Sequence, residues 1–127
     1  KGLFSRDGLV GFASGENSSQ NHVVDENDSV NTIDVMQLDT FRAEFGRQID
    51  LIKLDIEGAE RDAIIGSSKV LSKDAPDLMI SLYHRYDDLW VIPRLIKEIN
   101  PDYEFFLGHH SQYLFDTVLY ASVRSKG

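Results

Sequence analysis

The chain has 127 residues, of which 42% are hydrophobic and 27% are charged, and its formal net charge is −8. That length suits one domain, and the hydrophobic content is sufficient for a buried core. The 21 Asp and Glu residues outnumber the 13 Lys and Arg residues. This balance argues against binding to nucleic acids or anionic membrane surfaces, which require clustered positive charge. The absence of cysteine excludes disulfides, thiolate metal sites and a cysteine nucleophile.

Targeting and membrane signals are missing from the sequence. No apolar run approaches the roughly 20 residues that a membrane-spanning helix needs. The first residues also lack the charged-then-apolar pattern of a secretory signal. We therefore expect a cytoplasmic protein with no membrane partner. The chain starts at Lys1 without an initiator methionine, as a processed chain or a piece of a longer protein would.

The first third of the chain shows two strand patterns separated by a polar segment. Alternating apolar residues predict strands at 9–13 and 32–38. Residues 15–31 between them are rich in Ser, Asn and Asp, which predicts a mobile surface loop. A short helix follows, capped near Asp39 and ended by Gly46.

Strand and helix patterns alternate along the rest of the chain. The predicted elements are strands at 49–56 and 77–83, helices over about 59–71 and from Asp87 or Asp88 to Ile99, and final strands at 103–107 and 117–123. The strand at 49–56 is apolar on both faces, which indicates a central position in a sheet. Alternation predicts an α/β fold with a mainly parallel sheet. The last two strands are joined without a helix and should form an antiparallel pair.

The predicted helix that ends at Ile99 contains a proline. Pro93 fits such a helix only in its first turn or at the start of its regular part, because proline lacks the backbone N–H that an interior position needs.

The densest polar segment follows the strand at 49–56. Asp55 leaves this strand at the crevice where open α/β sheets bind ligands, and Glu57 lies on the same side two residues later. Gly58 permits a tight turn into the next helix. We assign Glu60 to complementing the helix N-terminus. Asp55 needs a partner to offset its desolvation, and Lys53 is that partner only if it points the same way.

His84 ends the next predicted strand and faces the same crevice as Asp55 if the two strands are neighbours. A histidine there suits proton transfer near neutral pH. An equally weighted alternative is that His84 hydrogen-bonds Asp87 or Asp88 and stabilises the turn. His109 and His110 end a later strand, and at most one of them can face the site.

Two further ligand hypotheses concern the same segment. Residues 55–58 match the Asp-x-x-Gly of GTP-binding proteins, but the phosphate loop that such proteins require is absent, so a nucleotide switch is disfavoured. Asp55 and Glu57 are carboxylates that suit Mg²⁺ or Ca²⁺, yet two ligands are too few to assign a metal site.

The string from Ile49 to Glu60 resembles the signature of the FkbM family of S-adenosylmethionine-dependent methyltransferases. Looser matches follow the family's order at 35–41, 66–71, 80–84 and 117–121, so the resemblance covers the chain from about residue 30 onward. It implies a partial Rossmann-like methyltransferase fold and methyl transfer to an acceptor oxygen. Sugars, polyketides and lipids are acceptors that the family implies.

The resemblance also implies roles for three residues. Asp55 would help to activate or orient the small-molecule acceptor, with Glu57 and His84 as its catalytic neighbours. S-adenosylmethionine would be the cofactor of the complete enzyme.

The chain departs from the family pattern before residue 50. The family's first strand with its glycine-bearing loop, and the second strand that ends in an acidic residue, are both missing. We therefore expect residues 1–127 to be a single domain that represents the C-terminal half of such an enzyme and is inactive alone. The alternative is a non-catalytic α/β interaction module.

The missing first strand would have paired with the strand at 51–56. Its absence leaves an unpaired edge that is rich in Leu and Ile and prone to association. We expect either a homo-oligomer formed through this edge or pairing of the edge by the strand at 32–38.

Overall fold

The computed structural model describes residues 1–13, 22–24, 31–110 and 116–123. These residues form two sheets and the helices that accompany them. In chain order the elements are β1 (Gly2–Leu3), β2 (Gly8–Ala13), β3 (His22–Val24), β4 (Asn31–Met36), α1 (Leu38–Phe45), β5 (Leu51–Leu54), α2 (Glu60–Ile65), α3 (Ser68–Lys73), β6 (Asp77–Ser81), α4 (Asp88–Ile99), β7 (Glu104–His109) and β8 (Thr117–Ser122).

The first sheet has the strand order β1-β4-β2-β3. β1 pairs with β4 in parallel, while β2 is antiparallel to both β4 and β3. Val10 of β2 and Val35 of β4 are buried, which follows from the alternation of apolar residues in both strands. The strands predicted at 9–13 and 32–38 are therefore present, although β4 begins one residue earlier and ends two residues earlier.

The segment 15–31, which we predicted to be a loop, contains a strand. His22–Val24 forms β3 and pairs with the end of β2. Two consecutive valines were the signal for this strand, but the surrounding Asn and Asp residues dominated the pattern. Residues 14–21 and 25–30 lie outside the described residues, so the prediction of mobility there stays a prediction.

The second sheet has the order β5-β6-β8-β7 and is mixed, which corrects the predicted mainly parallel sheet. β5 and β6 are parallel, whereas β8 is antiparallel to both β6 and β7. The physical reason is that β8 folds back from β7 and inserts next to β6, so it reverses the strand direction on both sides. The predicted antiparallel pair at the C-terminus is confirmed.

The main core lies on one face of the second sheet, against helices α2, α3 and α4. The core side chains from the sheet are Ile52, Leu54, Leu78, Ile80, Leu119 and Ala121. Ile64, Leu71, Ile92 and Ile96 come from the helices and are at most 1% exposed. Burial of one such side chain stabilises the fold by about 1.5–3 kcal/mol. Tyr103 is also fully buried, and its hydroxyl donates a 2.7 Å hydrogen bond to the carbonyl of Pro76.

The opposite face of this sheet is open among the described residues. Leu51 and Phe106 on this face are 57% and 51% exposed. Together with Met79 and Tyr120 they line a groove of about 280 Å³. β5 is an edge strand here, so its predicted central position is wrong for this structure. Leu51, the apolar residue on the second face of β5, lines the groove.

The single helix predicted over 59–71 is two helices, α2 and α3, which are separated at Gly66. A Cβ atom at Gly66 would lie 2.0 Å from the carbonyl oxygen of Phe4, so only glycine allows the end of β1 to pack here. The carboxylate of Asp39 accepts hydrogen bonds from the N–H groups of Lys69 and Val70 and thereby caps α3 from outside that helix.

Helix α4 includes Pro93 as its sixth residue, which corrects the expectation that proline would stand in the first turn or at the start of the regular part of the helix. Proline there removes one backbone hydrogen bond. The helix continues because Ile92 and Ile96 hold it to the core. No helix of the described residues is both long enough and apolar enough to cross a membrane.

Candidate functional site

The carboxyl ends of β5 and β6 lie side by side. The two strands are parallel, and Leu54 at the end of β5 pairs with Ile80 of β6. Residues that follow either strand therefore leave the sheet at the same edge, where open α/β sheets bind ligands. Asp55 follows β5 directly, and His84 follows β6 by three residues. This confirms the predicted neighbourhood of the two strands.

The corner between β5 and α2 has an unusual backbone. Glu57 and Gly58 have positive φ angles of 54° and 94°. Glycine adopts this left-handed conformation readily, whereas a residue with a side chain does so rarely and at some cost in energy. The N–H of Ala59 closes the turn on the carbonyl of Ile56 at 3.2 Å. The turn directs the side chain of Glu57 back towards the end of β6.

The imidazole of His84 lies among three carboxylates. Its Nε2 is 3.5 Å from Oε2 of Glu57 and 3.7 Å from Oδ1 of Asp55, and its Nδ1 is 2.8 Å from Oε1 of Glu60. The side chain of His84 is only 8% exposed, while those of Asp55 and Glu57 are 42% and 48% exposed. The structure thus brings together Asp55, Glu57 and His84, the three residues that the sequence singled out.

Glu60 also belongs to this cluster, whereas the sequence analysis assigned it only to the helix N-terminus. It is fully buried, and its Oε1 accepts a 2.8 Å hydrogen bond from the N–H of Ile56. It does more than complement a helix N-terminus, because it also contacts His84. The only sequence signal for this role was the position of Glu60 in the first turn of α2, one helical turn after Ile56.

The partner of Asp55 is Tyr83 rather than Lys53. The hydroxyl of Tyr83 donates a 2.9 Å hydrogen bond to Oδ1 of Asp55. Burial of the ring and this hydrogen bond both raise the pKa of the Tyr83 phenol above its ordinary value of 10.0. Tyr83 therefore remains a proton donor to Asp55 at neutral pH, which holds the carboxylate at the edge of the sheet.

The alternative that His84 bonds Asp87 or Asp88 is wrong, because Arg61 holds both carboxylates. Arg61 forms ion pairs with Asp87 and Asp88, and its Nε donates a 2.8 Å hydrogen bond to Oδ1 of Asp88. The other oxygen of Asp88 accepts the N–H of Arg85 at 2.9 Å. Arg61 lowers the pKa of Asp87 below its ordinary value. These contacts stabilise the turn before α4 and leave His84 to the site.

His109 and His110 lie at the same edge of the sheet but are held by other partners. β7 is two strands away from β6. A ring nitrogen of His109 is 3.1 Å from the hydroxyl of Thr117, and one of His110 is 2.8 Å from the hydroxyl of Tyr120. Neither belongs to the cluster around His84.

A cleft of about 300 Å³ opens beside the cluster. Its walls include Phe4, Gly58 and Arg85, and Glu57 and His84 line it directly. The lining combines the carboxylates of Glu57 and Asp62 with the guanidinium of Arg85, so the cleft offers both acceptors and donors to a small ligand with hydroxyl groups.

The described residues form a mixed α/β fold with a polar cluster at the edge shared by two parallel strands. This is the arrangement of an α/β protein that binds a ligand at its strand ends. The model of the methyltransferase FkbM domain matches residues 4–117. The crystal structure of methyltransferase FkbM from Methylobacillus flagellatus KT is similar, with a TM-score of 0.72 and 32% sequence identity, and the match covers 94% of this chain. A search of curated proteins found no match. The chain therefore belongs to the FkbM methyltransferase domain family, as the sequence resemblance predicted.

The match covers 26% of the Methylobacillus chain, so the present chain spans about a quarter of that protein's length. The family model that matches is that of a methyltransferase domain.

Proposed function

We propose that the chain is the acceptor-binding part of an S-adenosylmethionine-dependent O-methyltransferase, corresponding to the C-terminal portion of a class I, Rossmann-like methyltransferase domain. The observation that carries this proposal is the position of His84 Nε2 between Asp55 and Glu57, beside a cleft at the carboxyl edge of two parallel strands. Family membership supplies the reaction class.

The described residues do not fit the cofactor. Across residues 1–13, 22–24, 31–110 and 116–123, no strand leads through a Gly-x-Gly turn into a helix, which is the arrangement that would cradle the methionine and ribose groups. Under the proposal, the cofactor is held by residues beyond this segment. The chemistry assigned to this chain concerns the acceptor alone.

The acceptor in this proposal is a small molecule that presents a hydroxyl group. Asp55 and Glu57 are partly exposed carboxylates and accept hydrogen bonds from that hydroxyl. The hydroxyl oxygen becomes a better nucleophile as its proton moves to a nearby base. Asp55 is placed for this role because Tyr83 fixes one of its oxygens and leaves the other available.

The first test replaces Asp55 with asparagine in the full-length gene product. Asp55→Asn keeps the shape of the side chain and an oxygen for Tyr83, but removes the negative charge. We expect release of S-adenosylhomocysteine, measured with a panel of sugars, polyketides and lipids as acceptors, to fall by about a hundredfold or more. The matched control is Asp102→Asn in the exposed turn after α4, which should retain the activity. Equal activity of the two variants would contradict the role of Asp55.

The fragment part of the proposal is tested on the 127-residue chain itself. Equilibrium dialysis with labelled S-adenosylmethionine should show no saturable binding. Tight, saturable binding would mean that the chain holds the cofactor after all.

One observation favours a second candidate, a non-catalytic α/β interaction module. The open face of the second sheet exposes Leu51 and Phe106 beside a groove, as a surface that docks onto another protein would. Inactivity of the full-length gene product, together with stable association through this face, would favour the module over the enzyme.

A further inference from the structure

We propose that Asp55, Glu60 and His84 bind a divalent transition-metal cation. Each of the three side chains brings one ligand atom to within 4.8 Å of the ligand atoms of the other two. The inference concerns cation binding alone, so it goes beyond the methyl-transfer proposal and stands or falls separately from it.

The charges around His84 favour a cation. Asp55 and Glu57 place carboxylate oxygens 3.7 and 3.5 Å from Nε2, and Glu60 places one 2.8 Å from Nδ1. Three carboxylates that converge on one imidazole repel one another unless positive charge lies between them. Of the two arginines that adjoin the cluster in sequence, Arg61 is already engaged by Asp87 and Asp88, and Arg85 lines the neighbouring cleft.

Among the described residues, two buried side chains of the cluster carry polar atoms without a hydrogen-bond partner, which is the second and independent observation. Glu60 is fully buried, and within the described part of the chain its Oε2 has no hydrogen-bond partner. His84 is more than nine-tenths buried, and neither of its ring nitrogens has a well-aligned hydrogen bond. The 2.8 Å contact of Nδ1 with Glu60 is thus close but off the direction of the N–H bond. A buried polar atom without a hydrogen-bond partner destabilises the folded state, and coordination of a metal would provide the missing partner.

The orientation of the imidazole suits such a site. Nε2 faces Asp55 and Glu57, and Nδ1 faces Glu60. With Glu60 among the ligands, Nδ1 coordinates the metal, while Nε2 keeps its hydrogen and faces the carboxylate of Glu57. Metal-binding histidines are typically held in this way, because a carboxylate behind the ring sets its tautomer and orientation.

The donor set selects the class of cation. One imidazole nitrogen with carboxylate oxygens suits Mn²⁺, Fe²⁺, Co²⁺ or Zn²⁺, whereas Mg²⁺ and Ca²⁺ prefer oxygen ligands only. Three protein ligands leave at least one coordination position open to a further ligand. If the proposed function is also correct, that position would receive the acceptor oxygen and lower its pKa.

The test is isothermal titration of the untagged chain, freed of metal by chelation and dialysis, with MnCl₂ and with ZnCl₂. We expect saturable binding of one ion per chain, with Mg²⁺ binding at least about tenfold more weakly. His84→Gln and Asp55→Asn should each weaken binding by about tenfold or more. The control His110→Gln removes a histidine outside the cluster and should leave binding unchanged.

Circular dichroism of each variant verifies its fold. Asp55→Asn should fold normally, because Asp55 is partly exposed and does not contribute to the core, so weaker binding by this variant can be attributed to the lost ligand. The proposal is overturned if neither Mn²⁺ nor Zn²⁺ shows saturable binding up to about 1 mM. It is also overturned if Asp55→Asn binds these ions as tightly as the unmodified chain does. The titration does not measure methyl transfer, so a negative result would leave the proposed function intact.

Discussion

At the scale of single residues, Asp74 joins three parts of the chain. Its carboxylate accepts hydrogen bonds from Nε and Nη2 of Arg42 in α1, at 2.7 and 3.2 Å, and from the N–H of Ile49 at 3.0 Å. The side chain of Asp74 is only 8% exposed. This residue after α3 thereby positions both α1 and the segment that enters β5.

The stability contribution of Asp74 should depend on pH. The hydrogen bond from Arg42, with help from the N–H of Ile49, lowers the pKa of Asp74 below its ordinary value of 3.8. A carboxyl group whose pKa falls on folding stabilises the folded state above its ordinary pKa, and this contribution is lost as the pH drops through the lowered value. Asp74→Asn should therefore lower the Tm at neutral pH by about 4 °C. In strong acid the two proteins should melt almost together.

Thermal melts followed by circular dichroism from neutral pH into acid would measure this effect. Asp102→Asn serves as the control, because its side chain lies in an exposed turn. A difference in Tm between Asp74→Asn and the unmodified chain that stays constant over the whole pH range would show that Asp74 acts through packing alone.

Residue-scale prediction succeeded where the signal was local. Asp55 and His84 could be predicted because each follows a buried strand, and parallel strands end at one edge of a sheet. The contact of Glu60 with His84 could not, because the two residues are far apart in sequence. The same applies to Tyr83, since only the pairing of β5 with β6 brings its hydroxyl to Asp55.

At the scale of elements, Gly66 determines how the first sheet packs on the helices. The end of β1 contacts the gap between α2 and α3, and the hydroxyl of Ser5 donates a 2.8 Å hydrogen bond to Asp62 of α2. The N–H of Asp39 donates a 3.0 Å hydrogen bond to the carbonyl of Gly66. One small residue therefore contacts segments from two other parts of the chain.

Gly66→Ala should separate these elements. The added methyl group would stand 2.0 Å from the carbonyl oxygen of Phe4, which is backbone and cannot rotate away. We expect a loss of about 1–3 kcal/mol in the free energy of unfolding, measured by urea denaturation. Gly2→Ala is the matched control, because its methyl group would meet only side-chain atoms, at 3.4 Å or more. Equal stability of the two variants would show that the first sheet can move away from α2 at little cost.

The break between α2 and α3 illustrates what the sequence pattern cannot show. Apolar residues repeat at the same helical spacing before and after Gly66, so the pattern predicts one continuous helix. The backbone of Phe4 packs against Gly66 at the interruption, and this contact exists only in the folded chain. The spacing of apolar residues indicates which face of a helix is buried, but it does not show which distant residue packs where the helix is interrupted.

At the scale of the whole molecule, the outer edge of β5 is the main exposed feature. Among the described residues β5 is the end strand of its sheet, and Leu51 is 57% exposed. The prediction that the strand at 32–38 pairs with this edge is wrong, because β4 pairs with β1 and β2 in the other sheet.

We propose that the isolated chain self-associates through this edge. Leu51→Glu introduces a charge that opposes strand pairing between copies, so sedimentation velocity should shift from dimers or larger species towards monomer. Ile65→Glu changes another exposed aliphatic residue, 48% exposed at the end of α2, and should leave the distribution unchanged. A monomeric unmodified chain at every concentration tested would rule the proposal out.

The order of the strands was the least predictable property of the molecule. The alternation of strands and helices indicated an α/β fold, and the absence of a helix before β8 indicated an antiparallel pair. β8 lies between β6 and β7 because it pairs with a strand that is distant in sequence. The sequence of β8 alone does not show which strand that is. The second sheet is mixed for that reason.

The left-handed backbone at Glu57 implies a trade-off for anyone who redesigns this chain. Glycine would relax a conformation that a side chain disfavours, by about 1 kcal/mol. The same exchange would delete a carboxylate that lies 3.5 Å from His84. A screen that rewards thermostability alone would therefore favour a variant that has lost part of its acidic pocket, so such a screen should be coupled to a ligand-binding readout.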